Sequence, residues 1–333
     1  MRFFVPRALI DLAAVLLAFP AIAQVAPYKA PEHTGGFPGM ATGETQAQAE
    51  ASLKLGPELE RNRDPRWLLA EQRRMNKALG ALQPQRKGVV DVYVVSVGLD
   101  SDPVFGREAR EAGKVLSTRY GGAGRTIVLA GTNGSAASDL PNGSITNLTL
   151  ALARIRELMD PNEDVLVLYS TSHGAPVGIV YHDADDGFGI LSPTRFAGIL
   201  DGLGIKNRML IISACYSGVF VPALASPTTA LFTAASDSRP SFGCAADNDW
   251  TFFGDAMINH AFRKPQTLKA ASDEARGLIT QWESQGGVNA SNPQVSIGAS
   301  TGTWLAPIEA RMPKTATQPV GRPATDALSQ VRH

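Results

Sequence analysis

Cysteine is almost missing from this chain: 333 residues hold two, Cys215 and Cys244. A pair so sparse excludes a disulfide framework as the main support of the fold. There is no CxxC and no His-rich pair, so a zinc site is not expected, and no cofactor either. Charge of one sign is also missing. Lys+Arg and Asp+Glu both number 31, for a formal net charge of zero. That balance gives no basic stripe for nucleic acid or an anionic membrane surface, and no nucleic-acid partner is expected. Gly121-Gly122-Ala123-Gly124 lacks the Lys-Ser/Thr that completes a phosphate cradle. Asp183-Ala184-Asp185-Asp186-Gly187 lacks the EF-hand spacing and its distal Glu, and reads as a solvated hairpin turn with a structural His182 beside it. Long hydrophobic runs are absent as well. The stretch 12–19 is too short for about 30 Å of hydrocarbon, and nothing later is longer and as apolar.

What is present at the N-terminus is an address. Arg2 and Arg7 flank that short apolar stretch, and Ala21-Ile22-Ala23 precedes Gln24 as a small-x-small cleavage signal. The expectation is a signal peptide over 1–23 and an exported, periplasmic or secreted protein with no stable membrane insertion after its removal. Residues 24–85 form a lead-in, rich in Pro, Gly and Ala up to 45 and therefore flexible, with an edge helix over 65–82. The regular domain spans 86–306, and 307–333 is a polar tail. Asn142 and Asn147 stand in acceptor sequons, read here as turn chemistry.

Within 86–306, β-branched runs alternate with amphipathic stretches. Strands are expected over 89–97, 125–130, 165–172, 208–214, 229–235 and 294–297, and helices over 103–120, 145–159, 193–203, 250–262 and 266–281. Two short runs near 178–181 and 189–191 make a hairpin laid over the site. The alternation predicts an α/β fold, a mostly parallel sheet with helices on both faces.

Two of these strands end in chemistry. Val165-Leu166-Val167-Leu168-Tyr169-Ser170-Thr171-Ser172 runs into His173-Gly174, and Arg208-Met209-Leu210-Ile211-Ile212-Ser213-Ala214 runs into Cys215-Tyr216-Ser217-Gly218. Sites in open α/β sheets lie beyond the carboxyl ends of the strands. An imidazole and a thiol at one rim are the parts of a cysteine hydrolase. An α/β-hydrolase elbow is disfavoured, because Ser213 and Ala214 stand where Gly is wanted and the strongest His precedes the nucleophile.

The stretches Tyr169–Gly174 and Ser213–Gly218 resemble the two motifs of the legumain-like (C13) cysteine peptidases of the caspase clan. The resemblance continues through Thr233-Ala234-Ala235-Ser236 and Phe252-Phe253-Gly254-Asp255. It implies a caspase/haemoglobinase-like three-layer fold and a peptide or protein substrate. It also implies His173 and Cys215 as the dyad, with the N–H groups of Gly174 and Cys215 as oxyanion hole. A P1 pocket maps by the same resemblance to Arg107, Ser241 and Asp255, with Ser213 replacing an acid two residues before the nucleophile and Phe105 at the place of an Asn. Asn or Asp is the implied P1 side chain. A silent scaffold that keeps the fold is the alternative reading.

Overall fold

The computed structural model describes residues 33–131 and 138–328. The expected signal segment 1–23, part of the Gly/Asn/Ser-rich loop before 145 and the last five residues lie outside the described residues. The elements in chain order are α1 (Gln46–Lys54), β1 (Glu58–Glu60), α2 (Pro65–Gly80), β2 (Val92–Gly98), α3 (Pro103–Tyr120), β3 (Thr126–Leu129), α4 (Ile145–Leu158), β4 (Val165–Thr171), β5 (Gly174–Ala175), β6 (Gly178–Asp183), β7 (Gly187–Leu191), α5 (Pro193–Gly202), β8 (Arg208–Ser213), α6 (Val221–Leu224), β9 (Thr229–Thr233), α7 (Phe252–Gly254), α8 (Leu268–Gly286), β10 (Gln294–Ile297) and α9 (Gly302–Ala310).

Six strands form the central sheet in the order β10-β9-β8-β4-β2-β3. All its pairings are parallel except the last, where β10 runs antiparallel along β9. Successive strand side chains point to opposite faces. Val92, Val94, Val165, Val167, Tyr169, Met209, Ile211 and Phe232 therefore join one core, with Ala112 and Leu116 of α3 and Ala271 and Ile279 of α8. Tyr93, Val95, Leu166, Leu168, Leu210 and Ile212 join the other, with Leu148 and Leu152 of α4 and Phe196 and Leu200 of α5. Strands buried on both faces explain the near-continuous apolar runs, and the result is the expected three-layer α/β architecture.

A second, antiparallel sheet of order β1-β7-β6-β5 lies at the carboxyl rim. The β6–β7 hairpin is the expected one. Its outer partner β1 has the sequence Glu58-Leu59-Glu60, too short and polar to signal a strand. The segments expected as appendages are packed in. On α2, Met75 joins the core and the buried Glu71 accepts hydrogen bonds from Asn142 N–H (2.8 Å) and Asn147 Nδ2 (2.7 Å). At the other end, Trp250 Nε1 donates to Val320 O (2.8 Å), and Ala324 and Ala327 are buried in the α3–α8 core. The lead-in also makes fixed contacts from His33 onward: Thr34 and Gly35 donate backbone N–H groups to Asp185 at 3.0 and 2.9 Å. No helix among the described residues is long and apolar enough to cross a membrane.

Candidate active site

β4 and β8 are neighbours, and their register pairs Thr171 with Ser213. His173 and Cys215 each lie two residues further on, so they leave the rim at matching positions of strands about 4.8 Å apart. The pairing continues past the strands, with Ser172 N–H donating to Ser213 O at 3.2 Å. Gly174 follows, and a Cβ there would sit 2.0 Å from the Cys215 carbonyl oxygen. Only glycine lets the two rim segments touch at this point.

Past the thiol the chain must turn sharply. Tyr216 takes the left-handed conformation (φ 57°) and donates its N–H to Arg239 O at 2.9 Å. Such a non-Gly residue costs about 1–2 kcal/mol, and outliers of this kind gather at functional sites. A 3₁₀ turn over Ser217–Phe220 then leads into α6. Cys215 is half-buried, and its Sγ accepts the Ser241 N–H at 3.2 Å, with Ser241 Oγ at 3.6 Å.

His173 keeps 39% of its side chain exposed, with Nε2 3.4 Å from Asp102 Oδ2. The edge of Phe105 meets its ring at 5.0 Å and 80°. Burial pulls the imidazole pKa down. Hydrogen bonds to Asp102 and to the Cys244 thiol, with the charge of Asp100, outweigh that and hold it at about 10. Asp102 is correspondingly lowered, first by its hydrogen bond to His173. Asp102 is the N-cap residue of α3, yet its side chain makes no capping bond. The carboxylate faces the His173 ring instead.

The pocket residues divide. Ser241 touches the thiol. Arg107 reaches the same 239–249 loop, donating to Ala246 O at 2.8 Å and to Asn248 O, with its Nε 3.5 Å from Asp249. Ser213 is buried and its Oγ lies 3.1 Å from Thr251 Oγ1. Asp255 is fully buried beneath the rim; its oxygens accept from Asn259 Nδ2 and Ala324 N–H, both at 2.7 Å, and go to neither His173 nor Cys215.

Sequence reasoning missed Asp102, Cys244 and Glu108. Asp102-Pro103 reads as an ordinary helix start. Cys244 was in view, but its place beside the ring depends on a loop with no periodicity. Glu108 had a signal: it stands four residues from Val104 and from Ala112, on the apolar face of its helix. It is fully buried and accepts hydrogen bonds from Tyr169 OH, Thr171 Oγ1 (2.7 Å) and Thr251 N–H (2.8 Å). Burial pushes its pKa up against those three donors.

The Peptidase C13 family model matches residues 145–303, a little under half of the chain, including both His173 and Cys215. That match supports a cysteine-type peptidase. Among solved structures, the crystal structure of caspase-1 from Spodoptera frugiperda is similar at 13% identity and a TM-score of 0.40, covering 65% of this chain and 88% of that one. No curated protein sequence matches.

Proposed function

We propose that this chain is an exported cysteine endopeptidase of the C13 type, with Cys215 as nucleophile and His173 as general acid and base. The observation that carries the reading is the matched exit of the two residues from paired strands, with Gly174 pressed against the Cys215 carbonyl. In the proposed cycle the thiolate attacks the scissile carbonyl carbon, and the N–H groups of Gly174 and Cys215 hold the oxyanion. One such donor is worth about 3–4 kcal/mol in comparable enzymes. The C–N bond breaks as imidazolium His173 gives its proton to the leaving amine. Water then loses a proton to His173 and attacks the thioester, which releases the acid and restores the thiolate.

For P1 we propose a polar side chain, Asn or Asp, met by Ser241 on the loop that touches Cys215 and by Arg107, which reaches that loop from α3. Export rests on the small-x-small signal before Gln24. The test is cleavage of a fluorogenic P1 panel by wild type and by Cys215→Ala. Turnover should vanish in the variant, and Asn or Asp should lead the panel. Undiminished turnover overturns the dyad, and a lead for Ala or Phe overturns the P1 assignment. The scaffold reading is favoured by one observation, that Cys244 lies beside His173. A thiol-directed activity probe separates the two: labelling of Cys215 in preference to Cys244 supports the enzyme.

A further inference from the structure

We propose that His33, carried on the lead-in, is a positioning residue of the catalytic centre: it shares the Asp102 carboxylate with His173 and so moderates the grip of that carboxylate on the His173 proton. The proposal rests on His173 acting as general acid and base, as set out above. The Asp102 carboxylate lies between two imidazoles. Its Oδ2 is 3.4 Å from His173 Nε2, and its Oδ1 is 3.7 Å from His33 Nε2. The fully buried Asp100 side chain ties the group together: its Oδ1 accepts the Asp102 N–H at 2.8 Å and lies 3.1 Å from His33 Nε2.

His33 is also held from behind, with Nδ1 3.2 Å from Ala184 O. Both of its ring nitrogens therefore face acceptors, and only the imidazolium donates to both. Burial works against that charge, but the hydrogen bond and charge of Asp100, the Ala184 carbonyl and the charge of Asp102 outweigh it and raise the His33 pKa above its ordinary value. His182 and Asp185 face the ring as well. His182 of β6 stacks on it at 3.5 Å and 16°. Burial and the His33 charge hold the His182 pKa down, so the stack joins one charged ring to one neutral ring. Asp185, on the turn between β6 and β7, accepts the Thr34 and Gly35 N–H groups and keeps its own negative charge.

Two carboxylates thus meet two imidazolium rings, one from the catalytic motif and one from the lead-in. The docked segment does not cover the site, since His173 stays 39% exposed with His33 in place. That is the mark of a supporting contact rather than an obstructing one. With His33 removed, Asp102 belongs to His173 alone, and His173 should hold its proton to higher pH. An imidazolium with a pKa further from the working pH is a poorer proton donor to a leaving amine.

The test follows the five histidines of the full chain by NMR titration in wild type, His33→Gln and His33→Ala. The His173 midpoint should rise by about half a pH unit or more in both variants, and the alkaline limb of kcat/KM should move up with it. At neutral pH kcat should fall while KM holds, because His33 acts behind Asp102. In an Asp102→Asn background the same changes at His33 should lose most of their effect on His173. Circular dichroism checks folding, and His33→Gln keeps a donor for Asp100 should Ala release the segment. The proposal is overturned by a His173 midpoint that stays or falls in both variants, by a rise that is as large without the Asp102 carboxylate, or by a His33→Ala enzyme that cleaves faster at neutral pH, which would make the lead-in an obstruction. The titration needs no turnover, so its outcome stands apart from the peptidase reading, which Cys215→Ala decides.

Discussion

At the scale of single residues, two thiols stand on one rim with different partners, and this divides their expected roles. Cys244→Ala should retain peptide cleavage at the wild-type order of magnitude, in contrast to Cys215→Ala, as a fluorogenic assay of both variants will show. His173 carries the pH dependence. Its pKa is raised to about 10, so the imidazolium persists through neutral pH, and any stability it lends is complete below its ordinary 6.5 and disappears as pH rises through about 10. Asp102, Asp100 and Cys244 are the groups that hold the proton there. Asp102→Asn removes the strongest of them, so the alkaline limb of kcat/KM should move to lower pH; a limb that stays in place would separate Asp102 from the histidine. Glu108→Gln is expected to cost about 1–3 kcal/mol in urea unfolding, because one amide oxygen replaces two acceptors and its NH2 then faces either Thr251 N–H or the two hydroxyls. His173 and Cys215 were legible because each ends an apolar run. Asp102 was not, because an Asp before Pro is explained by the helix it starts.

Among the elements, β4 and β8 were readable from their β-branched runs, and their adjacency followed from a parallel sheet with short crossovers. The loop from β9 to α7 was not readable. It brings Ser241 to the thiol and Cys244 to the imidazole through contacts that no local pattern encodes. The β1 strand, with two Glu in three residues, exists because β7 offers it an edge. The turn after β8 can be tested on its own. Tyr216→Asn suits a left-handed position and Tyr216→Val does not, so Val should be the less stable by about 1–2 kcal/mol in denaturant unfolding. Gly174→Ala drives a methyl into the Cys215 carbonyl; activity should collapse, with a stability loss of about 1–3 kcal/mol.

For the whole molecule, the polar tail matters more than its composition suggested. Sequence reading took 307–333 as a polar tail. The chain nonetheless satisfies Trp250, Asn259 and Asp255 with main-chain groups of Val320 and Ala324. Truncation after 312 leaves the buried Asp255 without one of its donors and should lower stability by about 1–3 kcal/mol, seen as a fall in Tm. The three-layer core itself was legible, because strands covered on both faces must be apolar throughout. Glu108 extends a carboxyl from α3 to Tyr169, whose hydroxyl also meets Ser213, and to Thr251, the other partner of Ser213. A change of side chain on α3 at position 108 should therefore be felt at the closing residue of β8 through partners the two share.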